Sequence, residues 1–210
     1  MYHNRNADMI QACSESNGCI EMEKTLDVRI QRSQAALINA GRELLRKNSE
    51  ATLSDIASHA GVGRTTLYRL FETKEELVKA IAKDCLEVFD RATEHLEREA
   101  ESAMDGFRLT FHAIIPLDAE LEFLMKLGDI GENDPELLAI YEKQQAEMAE
   151  LIELAKQEGS IAKRIPTRWI VNHLEGLLYT AWLSARENLM SNESLAELTF
   201  NTFCHGLQQD

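Results

Sequence analysis

Leu53-Ser-Asp-Ile-Ala-Ser-His-Ala-Gly-Val-Gly-Arg-Thr-Thr-Leu-Tyr-Arg-Leu-Phe71 decides how this chain folds. Thr52 stands directly before the stretch and Asp55 three residues after Thr52, the pattern of a capped helix start. The hydroxyl satisfies a free N–H, and the acid lies at the positive end of the helix. The helix that starts at Leu53 is short, because Gly61-Val62-Gly63 follows Ala60 and glycine accepts the positive φ that stops a helix and turns the chain. A further helix begins at Arg64. Two short helices across a tight glycine turn have the dimensions of a helix-turn-helix. Ile56, Ala57, Val62, Leu67 and Phe71 are spaced to pack the pair together, with Ala57 small enough for a close crossing. The second helix is left presenting Arg64, Thr65, Thr66, Tyr68 and Arg69. Guanidinium forks match guanine acceptors, threonine offers a hydroxyl and a methyl, and tyrosine reaches a phosphate or a base. Lys74 and the free N–H groups opening the next helix add a phosphate site. From pattern alone the alternative is an ordinary helical hairpin whose polar face is merely solvated.

Upstream, apolar residues at Val28, Ile30, Ala35, Leu37, Ile38, Leu44 and Leu45 fall near helical spacing from about Asp27. They predict a first helix ending near Asn48, with Arg29, Arg32, Arg42, Arg46 and Lys47 on its other faces. Residues 1–23 show no periodicity and read as a disordered or loosely attached tail. Downstream, Thr73-Lys-Glu-Glu76 repeats the capping pattern and opens a long fourth helix running to about Glu99. Five more helices follow, over roughly 102–115, 118–129, 135–158, 167–188 and 193–207, punctuated by Pro116, Gly131, Pro135, Gly159 and Pro166. The expected fold is all-α with about nine helices: a helix-turn-helix head over 24–83 and a helical effector-binding and dimerisation domain over 84–210.

The net charge of −14 is unevenly spread. Residues 1–23 carry −3, residues 24–83 carry eleven Lys/Arg against seven acids, and residues 84–210 carry ten against twenty-five. A basic segment on an acidic body is what one end meeting phosphates requires. Cys13, Cys19, Cys85 and Cys204 form no C-x-x-C pair and lack histidines at zinc-ligand spacing, so no metal or cofactor is expected and the thiols read as reduced. Cys13 and Cys19 lie six apart, with nothing basic nearby to make a reactive pair of them. No apolar run reaches the roughly 18 residues of a membrane span, and no signal peptide is visible, which predicts a cytoplasmic protein without a membrane partner. Motifs of hydrolases, metalloproteases and nucleotide-binding enzymes are missing from the sequence, so an enzyme is not expected.

The run Leu53–Phe71, followed by Lys74-Glu75-Glu76-Leu77, closely resembles the signature of the TetR family of repressors. The resemblance implies that Arg64, Thr65, Thr66, Tyr68 and Arg69 belong to the recognition helix, with Thr52, Ser54 and Lys74 among the supporting contacts. Two residues depart from the family pattern. Leu70 stands where many relatives place a histidine near phosphate, and Gly63 replaces a commoner serine.

The same resemblance implies a homodimer through residues 167–207, a palindromic double-stranded DNA operator with half-sites about 34 to 36 Å apart or a related spacing, and a small-molecule effector in the C-terminal domain. Apolar residues surround much of the helix from Trp169 to Leu183, which fits cover on more than one side, and Leu195, Leu198, Thr199, Thr202 and Phe203 supply a face on the last helix. Candidate effector-lining residues are Phe107, Phe111, His112, Met125, Tyr141, His173, Glu175, Tyr179 and Trp182. Glu175, Tyr179 and Trp182 share a helix face by spacing, which suits a cationic or hydrogen-bonding apolar ligand. A regulator with a filled interior, answering to a partner protein or to nothing, is the competing reading.

Overall fold

The computed structural model describes the backbone of residues 17–127 and 134–207, with side chains from Val28 to His205. Its described residues are helical, without strands, and form two compact units, one ending at Leu77 and the other beginning at Val78.

In the first unit α1 spans Asn17–Lys47, α2 Leu53–His59 and α3 Arg64–Leu70, and α4, Lys74–Thr93, begins here and continues into the second unit. α1 starts earlier than the apolar spacing from Asp27 indicates. Helix α2 is held at its start by the predicted box: the Thr52 hydroxyl accepts from the Asp55 N–H at 3.2 Å, and the Thr52 N–H donates to the Asp55 carboxylate at 2.9 Å. It ends in the turn that glycine permits. Gly61 sits at φ +66, the Val62 N–H reaches the Ala57 carbonyl at 2.9 Å, and the Gly61 N–H reaches Ser58 at 3.3 Å. Burial of Leu37, Ile56, Ala57, Leu67, Phe71 and Leu77 closes a small core around this turn. The spacing therefore identified the inner faces of α2 and α3.

The second unit comprises the rest of α4, the short α5 (Leu96–Glu99), α6 (Ala103–Ile114), α7 (Asp118–Met125), α8 (Pro135–Gln157), α9 (Thr167–Arg186) and α10 (Asn192–Leu207). Apart from the single turn of α5, the described helices are the nine expected from the sequence. α6 packs on α8 and α10, and α9 packs on α8 and α10. Phe107, Phe111, Ile152, Ile170, Leu174 and Phe203 fill the core between them. The start of α6 is capped twice, by the Ser102 hydroxyl accepting from Asp105 and by the Glu158 carboxylate accepting from the Ala103 N–H at 3.0 Å. At Gly106 an added Cβ would meet Leu151 at 3.3 Å, so the residue keeps α6 close to α8.

Two predicted boundaries move. The fourth helix stops at Thr93 instead of running to Glu99; the Thr93 hydroxyl donates back to the Phe89 carbonyl at 3.0 Å, and the chain restarts as α5 with Leu96 buried. α7 ends at Met125, short of the expected 129; residues 128–133, including Gly131, lie outside the described residues. Cys85 is buried and Cys204 half-buried, and partial burial pushes the Cys204 thiol upward. Cys13 and the Cys19 side chain lie outside the described residues. Among the described residues no helix is long and apolar enough to cross a membrane.

Candidate nucleic-acid interface and effector residues

The reading edge follows from one buried residue. Leu67 is completely buried and anchors α3 against the head, which turns Arg64, Thr65, Tyr68 and Arg69 outward while Thr66 and Leu70 are half-buried at the flanks. Tyr68 is 53% exposed, a large apolar ring kept in water by its place on this edge. Leu70, the departure from the histidine pattern, thus spends part of its side chain on packing. Gly63 caps α3 with extended backbone and no side-chain bond, so a serine hydroxyl is the feature its substitution removes.

The supporting residues are less free than the reading edge. Thr52 uses its hydroxyl in the cap, accepting from the Asp55 N–H and donating to the Asp55 carboxylate at 2.6 Å; that donation first, and the Thr52 N–H second, hold the Asp55 carboxyl below the usual range. Ser54 is half-buried in the first turn of α2. Lys74 donates to the Ser49 carbonyl at 2.6 Å. Lys79 and Lys83, counted in the basic segment, pair in the second unit with Asp134 at 3.2 Å and with Glu136. In the head, Glu43 pairs with Lys47 at 2.8 Å and His59 at 3.1 Å. By contrast, Arg29, Arg32, Arg64 and Arg69 make no ion pair with any described carboxylate.

Sequence reasoning placed Arg29 and Arg32 on outer faces of the first helix and gave them no role. In the structure they share an open groove of about 450 Å³ with Thr66 and Arg69 of the reading helix, and Ile30 and Ser33 complete its lining. The signal available in the sequence was the spacing of Arg29, Arg32 and Ser33 over one turn.

The nine effector candidates fall into separate groups. Phe107 and Phe111 are buried and meet at Phe203, with ring centroids 4.9 and 6.1 Å from it. His112 reaches Glu197 at 2.6 Å; this bond and the nearby Arg108 hold the Glu197 carboxyl low. Met125 is 48% exposed at the end of α7. His173 stacks on Trp169, rings 5.2 Å apart. Glu175 accepts at 2.6 Å from the Tyr141 hydroxyl and from Gln145, whose carbonyl in turn accepts from Arg168. Partial burial first, and the Glu175 bond second, push the Tyr141 phenol up to about 12. Tyr179 tilts against Trp182 at 5.4 Å, and the Arg186 guanidinium lies 5.2 Å from the centre of the Trp182 ring. The Trp182 indole N–H is buried without a hydrogen-bond partner among the described residues.

Residues 37–81 match the family model of bacterial regulatory proteins, tetR family. The chain is 23% identical over 159 residues to the HTH-type transcriptional repressor LfrR of Mycolicibacterium smegmatis, covering 76% of this chain and 82% of that protein. Among solved structures it is similar to LfrR from Mycobacterium smegmatis in complex with proflavine, with a TM-score of 0.71, 22% identity, and 86% and 98% of the two chains covered. It is similar also to a TetR family transcription regulator from Marinobacter aquaeolei VT8, with a TM-score of 0.74, 20% identity, and 88% and 100% covered. These relatives are transcriptional regulators and not enzymes.

Proposed function

We propose that this chain is a DNA-binding helix-turn-helix transcriptional regulator of the tetR family, which its head resembles, and that it acts as a cytoplasmic repressor that binds a palindromic operator as a homodimer and is released by a small-molecule effector. The observation that carries the reading is the division of α3, with Leu67 fully buried and Arg64, Thr65, Tyr68 and Arg69 turned outward. A short helix anchored by one leucine and presenting unpaired guanidinium groups fits a major groove, where each bidentate base contact is worth about 1 to 3 kcal/mol of discrimination. Selection of an operator from random duplex DNA is the direct test. The selected sites should be inverted repeats, and Arg64→Ala should relax the preference at one position of each half-site. Recovery of no sequence preference at all would refute the reading.

The dimer is proposed through residues 167–207, where Tyr179, Leu183 and Leu198 stay 40%, 36% and 51% exposed in the single chain. The effector site is proposed in the helical body, with Glu175 as the group that meets a positive charge, supported by its place beside the Tyr141 ring and by the proflavine seen in the structurally similar LfrR. An effector changes operator affinity only through its differential affinity for two states, and couplings of about 1 to 3 kcal/mol give roughly 5- to 150-fold loosening. Proflavine serves as the probe. Release of operator that Glu175→Gln weakens supports a cationic planar effector, and unchanged operator affinity at saturating probe excludes that class.

A further inference from the structure

We infer that Arg29 and Arg32, on the part of α1 that precedes the head's core, form with Thr66 and Arg69 a seat for a DNA backbone phosphate beside the reading helix. The inference rests on the head being a DNA reader, and it adds α1 to the surface that does the reading.

The groove joins two helices with different duties. Leu37 and Ala40, further along α1, are buried and fix that helix in the head, whereas Arg29 and Arg32 one to three turns earlier are exposed. Their positions differ by three residues, so both guanidinium stems rise from the same side of the helix. Ser33 is held there too, its hydroxyl donating to the Arg29 carbonyl at 3.0 Å. Across the groove stand Thr66, half-buried, and Arg69, exposed. Three guanidinium groups thus line one open groove with no carboxylate among its lining residues.

In a chain of net charge −14, where cations of the body pair with neighbouring acids, like charges left together without a counter-ion among the described residues repel one another. An anion relieves that repulsion. A phosphodiester suits this groove better than a carboxylate ligand would. The groove shares Thr66 and Arg69 with the reading edge, so a strand whose bases meet Arg64 and Tyr68 passes its backbone close by. Guanidinium forks match the phosphate oxygens, and Thr66 can donate a hydroxyl. Phosphate contacts carry no base information, so the seat would fix the register of α3 without changing which bases it prefers.

The test compares the full-length chain with a variant carrying Arg29→Gln and Arg32→Gln, which removes both charges while keeping helix-forming residues at exposed positions. Binding is measured to the selected operator and to random duplex over a range of salt. The affinities for both duplexes should fall together by roughly tenfold, and the slope of log K against log salt should become shallower by about 2 per dimer, one phosphate in each head. The selected operator should stay the same, and Arg29→Lys with Arg32→Lys should restore most of the slope. An unchanged slope in the glutamine variant, with operator binding intact, overturns the seat alone. A changed base preference also overturns it, since the arginines would then be reading bases. Absence of operator preference in the unaltered chain would instead bring down the reading of the head itself.

Discussion

The Lys74 ammonium donates to the Ser49 carbonyl at 2.6 Å, tying the first turn of α4 to the loop between α1 and α2. By resemblance this lysine is a phosphate contact, yet in the structure it also fastens the head. Arg64, exposed and without an ion pair among the described residues, has no such second duty there. Lys74→Met should therefore cost stability as well as binding, by about 1 kcal/mol for one charge-assisted bond at the surface. For a chain of this size that is roughly 2 to 4 °C in melting temperature. Arg64→Ala should weaken operator binding and leave the melt where it was. Thermal unfolding of the two variants side by side decides the matter, and equal melts would show that the Ser49 bond contributes nothing.

Glu43 supplies a pH dependence. Hydrogen bonds from Lys47 first and His59 second hold its carboxyl at about 2, against 4.5 for the free group. A folded value below the unfolded one means that the stabilisation is complete above about pH 4.5 and is lost as pH falls through about 2. Glu43→Gln should flatten the acid limb of the melting curve across that window. Melting temperatures of variant and parent should differ most near neutrality and converge near pH 2. Parallel curves throughout would mean that the His59 and Lys47 bonds are not kept in solution.

How much of this was legible depended on whether a residue's partner is local. The boundaries of α2 and the burial of Ile56, Ala57 and Leu67 followed from a cap, a glycine turn and a spacing, all within one short stretch. The stop of α4 at Thr93 was invisible, because nothing there resembles a breaker and the reason to restart is the burial of Leu96. Lys74 read as a candidate phosphate contact, and its bond to a carbonyl 25 residues upstream was not visible in the sequence. Arg29 and Arg32 read only as outer-face charges, since the rotation of α1 that brings them beside Thr66 is set by Leu37 and Ala40 packing in the head. Glu175 was expected with Tyr179 and Trp182 along its own helix, but its hydroxyl donor is Tyr141 on α8, a pairing that spacing within α9 cannot show.

Two aromatic residues of the second unit should respond to truncation with losses of very different size. Phe203 is fully buried between Phe107 and Phe111, so Phe203→Ala leaves a cavity and should cost about 3 to 5 kcal/mol. Trp182 is nearly as buried but carries an indole N–H without an acceptor among the described residues. Trp182→Phe removes that unpaired group, which offsets part of the lost packing and the lost Arg186 contact. Its cost should stay below about 1 kcal/mol. Denaturant unfolding followed by circular dichroism measures both, and a large loss for Trp182→Phe would show that the indole N–H has an acceptor, such as a water molecule or the second subunit.

Leu198 tests the proposed dimer. On α10 its neighbours in sequence alternate between two environments: Leu195, Thr199 and Phe203 are buried, whereas Leu198 is 51% exposed and Thr202 is exposed with it. The buried set holds α10 against α6 and α9, while the side chains of Leu198 and Thr202 stay exposed on the opposite face, the Thr202 hydroxyl donating only to the Leu198 carbonyl of the same helix. Leu198→Arg should thus preserve helix content while placing a charge in the interface between subunits, where burying it unpaired is costly. Light scattering should show the parent at twice the 23.8 kDa of one chain and the variant at one. Operator affinity should fall with it, because two linked heads exceed one by roughly 10² to 10⁴ when both half-sites are engaged. If the variant keeps the doubled mass, the chains associate through another surface. If it becomes monomeric yet binds the full inverted repeat as tightly as before, association is not what brings the two heads to the DNA.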